Sequence, residues 1–510
     1  MAMPLQWIKR LTTAKESLSE GDIEKGIRAV TWDGICSMSM GALQGGAFLT
    51  AFALAVGANN FDIGLIAAIG MGSQLMQIPG LYLADRLPYR RGLTIAFAGA
   101  SRLLWVFILL TPLLFLNRGI TIVVFILFLV YLLANVPSPA WNSVLRDIIP
   151  EKRLGSVFGR RMMLGSIAAM SLTLLGGYFI DFWKASYPGQ ATYGYSILFT
   201  LGLIFGLLSL FFVYRVPEPV MEGRQPVSLT ELLSVPFKDP NFRGLIIFMG
   251  IWNLAINLVS PFFTIYMLER LELPLFTITI LFTVSQLAVI IFLPIWGKIS
   301  DRFNNKSVLR VCAPLFLFVT IAWCFTTLPD KYFLTVPLLY LIQIFGGIAF
   351  AGLALAGGNI SLKLAPQGQA MSYLTTISLV AAVAGVIGPL LGGILGHFLD
   401  TRELSLWFQF TQPGADIIVH AVHFRGLDFL FIITFFIGLF ALGRLAYVKE
   451  EGEVTEKVVL QEVLNEVLSP MRSVASIGGL TRMTALPLEI AARSFTRVRS
   501  QRGSKGNSQP

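Results

Sequence analysis

Twelve runs of about 20 apolar residues restrict this chain more than any motif does. They fall at 35–56, 61–84, 93–115, 120–141, 162–182, 194–214, 244–268, 275–298, 308–328, 333–357, 372–399 and 427–447. Runs of that length match the hydrocarbon thickness of a bilayer in helical form, and a helix satisfies its backbone polar groups within one segment. They are too long, and too uniformly apolar, to be barrel strands. With 55% hydrophobic and 13% charged residues among 510, the chain has too little charge to cover a water-soluble surface. The expected class is an all-α membrane protein with twelve transmembrane helices.

The formal net charge of +10 would suit a nucleic-acid partner, but its distribution argues otherwise. With the N-terminus inside, the short inner loops hold seventeen Lys and Arg and the outer loops six. That asymmetry is the positive-inside pattern, and it predicts that both termini are cytoplasmic. Residues 1–34 carry mixed charges ahead of the first apolar run and read as an interfacial segment, not a cleavable leader. Cys36, Cys312 and Cys324 all fall inside predicted spans, with neither a disulfide framework nor a metal spacing.

Two of the apolar runs end on the same charged signature: "GLYLADRLPYRRG" (80–92) and "GKISDRFNNK" (297–306). Asp85 and Asp301 are 301−85 = 216 residues apart, and Arg86 with Arg302 and Arg90 with Lys306 keep that offset. Pro150 and Pro366 repeat it, as do Gly176-Gly177 and Gly392-Gly393. The chain therefore reads as two parallel six-helix halves, 35–214 and 244–447, joined by a linker at 215–243 and followed by a tail at 448–510. Parallel halves related by an axis along the membrane normal are a transporter plan, with the substrate site near the midplane.

These residues resemble the major facilitator superfamily of secondary transporters over roughly residues 30–447. Members carry G-x-x-x-D-R/K-x-G-R-R/K after the second helix and a weaker copy after the eighth. Gly297 stands four before Asp301 as that pattern asks, whereas Gly80 stands five before Asp85 and Pro88 replaces a common glycine. "RDIIPEKRLGSVFGRR" looks like the family's loop after the fourth helix. The resemblance implies that the first, fourth, seventh and tenth helices line the cavity and that the third lies outside it.

Physical reasoning assigns the loops a gating role. An Asp at a helix end can bond the free N–H groups of a neighbouring helix N-terminus. Asp85, Arg86, Arg90, Arg91, Arg146, Asp147, Gly297, Asp301, Arg302 and Lys306 are the candidates, with Asp147 or Glu151 as partners for the arginines. Such contacts would form in one state and break in the other, biasing alternating access. Polar groups at midplane depth point to the substrate path: Gln44, Asn135, Trp252, Asn253, Asn257, Gln286 and Gln343. Asn253 and Asn257, four apart, share a helical face. Pro137 and Pro139 should break the fourth helix.

Of 29 Asp and Glu, none is placed near the midplane. Asp33, read at the cytoplasmic end of the first helix, is the candidate for proton or ion coupling. Arg102, about 13 Å into the third helix, needs a partner or water beside it. His420 and His423 have a spacing that, on a helix, would put two imidazoles on one face for a metal or pH sensor, although no metal is expected on that signal alone. The tail begins acidic and ends basic, reading as an amphipathic helix on anionic lipid or as an arm for a protein partner.

The expected function is secondary transport of a small organic molecule, sugar-, polyol- or drug-like, by alternating access in a bacterial inner membrane. The alternative is a protein of this fold that does not transport but binds or delivers a hydrophobic, pigment-like ligand, or assists membrane-complex assembly. No catalytic constellation suggests an enzyme, and no cofactor is expected. The partners are the substrate and the lipid bilayer.

Overall fold

In the computed structural model, residues 18–86, 89–114, 119–150, 153–218, 235–327, 331–366, 370–412, 415–450, 452 and 454–475 are described. Among them, twelve helices are long and apolar enough to cross a membrane: Glu20–Ala55, Asn60–Ala84, Arg90–Leu113, Gly119–Ile148, Ser156–Ser186, Pro188–Arg215, Pro240–Arg270, Leu275–Arg302, Asn305–Phe325, Thr335–Lys363, Ser372–Leu399 and Leu427–Leu445.

Local sequence explains the breaks. The first span runs unbroken from Glu20 behind a Ser19–Asp22 capping box, so much of what reads as an interfacial segment belongs to the span. It stops at Gln44 and resumes at Gly46, whose φ of +54° only glycine adopts freely. The fourth span breaks between Asn135 and Ser138, as its prolines demand.

The helix packing repeats with the sequence. The first span packs on the fifth and sixth, as the seventh does on the eleventh and twelfth. The third packs on the fourth and sixth, as the ninth does on the tenth and twelfth, and the second meets the fourth as the eighth meets the tenth. Between the halves, the second span meets the eleventh and the fifth meets the eighth.

Those cross-half contacts explain the paired glycines. A Cβ on Gly177 would sit 2.6 Å from Thr279 Oγ1, and one on Gly393 would sit 3.0 Å from the Asn60 carbonyl oxygen and 3.1 Å from Phe61 Cα. On the facing helix, a Cβ on Gly64 would lie 2.4 Å from the Pro389 carbonyl oxygen. The two 216-related glycines are thus the points where the halves approach backbone to backbone.

The hydrophobic core is not uniform along the bundle. On the side away from the termini, one continuous cluster unites Phe48, Phe52 and Phe199 of the first half with Phe262, Leu281 and Phe431 of the second. On the terminal side it separates into second-half residues around Trp252 and Trp296 and first-half residues around Val30, Val144 and Ile148. The halves are fused at one end and distinct at the other.

Two segments depart from expectation. The segment before the twelfth span, expected as an outer loop, is a β-hairpin, β1 (Glu403–Gln412) antiparallel to β2 (Ala415–Arg425), with a register shift between Leu406 and Trp407. Gly426, at φ +55°, turns it into the last span. In the tail, residues Glu456–Ala475 form a helix that packs against the eighth and ninth spans. The basic end of the tail and the linker piece "SLTELL" lie outside the described residues.

Candidate functional site

The most concentrated charge inside the bundle belongs to the first half. Asp33 lies thirteen residues after Glu20, about 20 Å along the helix axis, and not at the helix end where the sequence placed it. Its side chain is buried. Oδ1 accepts from Ser209 Oγ at 2.5 Å and from Ser37 Oγ at 3.3 Å, and Oδ2 accepts from Arg161 Nη2 at 3.1 Å. Arg102 Nη2 donates to Ser209 Oγ at 3.1 Å, which supplies the partner its depth required. The first, third, fifth and sixth spans therefore meet in one network. Glycine at position 34 makes room for it, since a Cβ there would fall 2.3 Å from Arg161 Nε. A buried carboxylate held by a guanidinium is costly to unpair, so Asp33 and Arg161 stand or fall together.

The loop residues divide between two kinds of joint. Arg90 donates to Asp147 at 2.6 Å and to Ser143 at 2.7 Å, inside the first half. Arg91 donates through its backbone N–H to Glu218 at 3.0 Å and through Nη1 to the Val216 carbonyl at 2.7 Å. Arg146 is exposed, and the side chains of Asp85 and Arg86 lie outside the described residues, as does Glu151. Burial pushes the Glu218 carboxyl above the usual carboxylate range, opposed by its hydrogen bonds from the backbone of Arg91 and Arg90.

The second-half copy differs from expectation. Asp301 is exposed, and the N-terminus of the ninth span is bonded instead by Glu450, which accepts from Lys306 N at 2.8 Å and from Asn305 N at 3.3 Å. Lys306 is buried, with Nζ 3.5 Å from the Ala446 carbonyl, so it is part of a fixed joint and not a free loop cation. Arg302 pairs with Glu462 of the tail helix, Lys298 with Glu466 at 2.9 Å and Arg310 with Glu456 at 3.3 Å. Gly297 has only ordinary contact, its Cβ position 3.8 Å from Leu355.

The polar groups expected in a cavity separate into lining and packing. Trp252 is buried within the second half, stacked on Phe248 at 6.0 Å between ring centroids, so it belongs to the core and not to the cavity wall. Gln44, at the break in the first span, is buried as well and donates to the Phe199 carbonyl of the sixth span at 3.0 Å. Gln343 is buried in the tenth span and Gln286 is exposed on the eighth. Asn135 donates to Ser73 Oγ at 2.9 Å and to the Tyr131 carbonyl.

Asn253 and Asn257, both half-buried, form an amide ladder: Asn253 donates to the Met249 carbonyl and Asn257 to the Asn253 carbonyl, each at 2.8 Å. Each bond uses one of the amide's two N–H donors and leaves the Oδ1 acceptor uncommitted. Alongside, Gly250, Leu254, Val380, Val383 and Ile387 line an apolar groove of about 330 Å³ between the seventh and eleventh spans. The groove passes within a turn of Gly388, whose Cβ position is 2.9 Å from Asn257 Cβ.

The histidines do not form a helical pair, because both lie on β2. His423 shares a 2.8 Å hydrogen bond with Ser405 Oγ, and the side chain of His420 lies outside the described residues. Among the described residues no group of three His, Cys, Asp or Glu could hold a metal. At the hairpin's root, a polar cavity of about 550 Å³ is lined by Asn60, Glu269, Arg270, Asp400 and Arg425.

The Asp33 network was missed because its members lie 128 and 176 positions apart. The available signal was a pair of cations, Arg102 and Arg161, within or beside apolar runs, with Asp33 just ahead of the first run.

Comparison with known proteins places this architecture. The tetracycline resistance protein, class H, of Pasteurella multocida is 29% identical over 136 residues, covering 27% of this chain and 32% of that protein. The match thus spans about a third of that relative's length. The crystal structure of the nucleoside transporter NupG aligns with a TM-score of 0.60 at 13% identity, covering 84% of this chain and 100% of NupG. A D-xylose–proton symporter aligns at 0.60 with 14% identity, over 85% of this chain and 99% of its own. A bacterial homologue of the iron transporter ferroportin, in an inward-facing state, aligns at 0.59 with 13% identity, over 85% of this chain and 100% of its own. At such identities these likenesses establish the fold. The sequence profile of the Major Facilitator Superfamily matches residues 34–352 and 254–488, and the chain belongs to that family.

Proposed function

We propose that the protein is a secondary transporter that works by alternating access and carries a neutral, hydroxyl-bearing amphiphilic organic molecule. One observation supports the mechanism above the rest: the core is continuous across both halves on one side and divided by half on the other. Two bodies joined at one end and separable at the other are what a rocking transporter looks like when open to one side. The basic bias of the loops makes the open side the cytoplasm of a bacterial cell. The observed gating-loop ion pairs each stay inside one half or its tail, as expected when that side is open.

The substrate class follows from the seventh span. Oδ1 acceptors on Asn253 and Asn257 suit hydroxyl donors, and the adjoining groove accepts an apolar face. Asp33 is the coupling group, with Arg161 as the cation that its protonation releases. Transport of a tetracycline-like or sugar-like molecule, suggested by the names of the relatives, fits this lining.

The test is a melting-temperature screen of purified protein against a small-molecule panel, since a ligand that binds the folded state raises stability by mass action. Hits then go to flux assays in liposomes. A hit that is lost in Asn257→Ala but kept in Lys331→Ala supports the reading. Saturable binding that is unchanged in Asn257→Ala would move the site elsewhere.

A further inference from the structure

The eighth span begins at Leu275 behind Pro274, which has φ −56° and ψ 144° and no side chain able to cap the helix. Its first N–H groups would be left bare at a helix N-terminus. They are taken up by a residue of the other half. Asp181, near the outer end of the fifth span, accepts from Leu275 N at 3.0 Å through Oδ1 and from Phe276 N at 2.7 Å through Oδ2.

The repeat supplies an internal control. Leu275 corresponds to Asn59 (275−216 = 59), and Asn59 caps the second span locally: its Oδ1 accepts from Asp62 N and Asp62 Oδ2 accepts from Asn59 N, both at 3.0 Å. Asp181 corresponds to His397 (181+216 = 397), which is exposed. One cross-half interface therefore carries a self-capped helix, whereas at the other the cap has been handed across. The contact is close, because Gly177, one turn before Asp181, would bring a Cβ 3.1 Å from Phe276 Cα.

We propose that Asp181 is a gating residue that holds the side away from the termini shut. Separating the halves there strips two N–H groups of their acceptor and a carboxylate of its donors at once. The closed arrangement is favoured by this bond and the open one is not, which is the differential contact that sets a two-state equilibrium. The inference rests on the alternating-access reading and names the residue that biases it.

The experiment measures distances without any substrate, so an incorrect substrate class does not affect it. Spin labels are placed at Ser186, at the outer end of the fifth span, and at Glu272, in the connection just before the eighth, after Cys36, Cys312 and Cys324 are replaced. In nanodiscs, Asp181→Ala is expected to raise the population of long distances about five- to tenfold, the equivalent of losing one helix cap. Asp181→Asn, which keeps an acceptor without the charge, is expected to fall between Asp181→Ala and the parent.

Pro274→Asp separates gating from simple capping, because the backbone at that position already has N-cap geometry. In the Asp181→Ala background it should restore the melting temperature while the long distances persist. If it restores both the melting temperature and the short distance, Asp181 is a structural cap and the proposal fails. Unchanged distances in Asp181→Ala would overturn it directly. Gly64→Ala, which acts at the other cross-half interface, serves as the independent opener. If neither variant lengthens any distance, the alternating-access reading fails as well.

Discussion

Gly64→Ala should open the side of the bundle away from the termini. The new Cβ would lie 2.4 Å from the Pro389 carbonyl oxygen and 2.9 Å from Gly393 Cα, whereas ordinary contact begins at 3.4 Å. Both obstructing atoms are backbone, so the second and eleventh spans must part by about 1 Å or more. Overpacking of this kind costs about 1–3 kcal/mol. Alanine's better helix propensity, about 1 kcal/mol, applies to both states and cancels between them. The clash exists only while the halves are pressed together, so the cost falls on that state alone. At about 1.4 kcal/mol per factor of ten, the ratio of open to closed should change by about fivefold to a hundredfold. Spin labels at Ala55 and Phe398, on the outer ends of opposite halves, would read that ratio. Gly358→Ala is the matched control, since its Cβ would meet nothing within 4 Å. If the Gly64→Ala distance distribution is no broader than that of Gly358→Ala, the cross-half contact does not hold this side shut.

Asp33→Asn should abolish transport driven by a proton gradient while leaving substrate counterflow, because the neutral amide fills the space without exchanging a proton; equal loss of both in liposome assays would assign Asp33 a structural role. Trp252→Ala should destabilise the fold by about 3–5 kcal/mol and leave substrate affinity unchanged in the variant that still folds; a selective loss of affinity would return Trp252 to the cavity wall. For Glu218 the folded carboxyl is pushed above its unfolded value by burial, so its contribution to stability is full at pH below about 4.3 and declines as pH rises through the raised value. Glu218→Gln does not titrate, and its melting temperature should gain on the parent's as pH rises from about 4.3 through the raised value; a gap that moves the other way would mean that the backbone bonds at Arg90 and Arg91 outweigh burial.

Much of the fold was legible because lipid imposes long, uniform runs, and the 216-residue offset survives wherever backbone must approach backbone. Gly176-Gly177 and Gly392-Gly393 announced the halves before their contacts were visible. What escaped the sequence has identifiable reasons. The start of the first span is hidden in the sequence because Glu20–Val30 mixes charged with apolar residues, and only the Ser19–Asp22 capping box marks it. The hairpin was readable in principle, since "ELSLWFQF" and "IIVHAV" flank a Pro-Gly pair and the first alternates with period two. Trp252 misled because an aromatic next to two asparagines looks like a binding wall, although one step along a helix turns a side chain by about 100° and places it on another face. Lys306 misled because a cation in a repeated loop motif reads as exposed, and only the fold reveals Glu450 beside it.

The two halves share a backbone plan and divide the chemistry between them. Glu218 and Glu450 each come from the end of their half's last span and bond the N-terminus of that half's third helix, so both loop joints are fixed within their own body. The interior is treated differently. Asp33, Arg102 and Arg161 of the first half correspond at the 216 offset to Met249, Phe318 and Ile377 of the second. Met249 is buried in the second half's core, Ile377 packs against it and Phe318 is exposed on the bundle surface. In the other direction, the ladder residues Asn253 and Asn257 correspond to Ser37 and Gly41, and the second of these offers no side chain. A duplicated structural bundle has no reason to hold the Asp33–Arg161 pair in one copy alone and the Asn253 and Asn257 ladder in the other alone. A transporter does. Symmetry of backbone lets either side open by similar motions, and on the proposed function the asymmetry of side chains would let one half respond to protons while the other holds the cargo. Transplanting Asp33 and Arg161 to Met249 and Ile377 should therefore place an ion pair in a packed core, destabilise the fold and fail to restore coupling lost in Asp33→Asn.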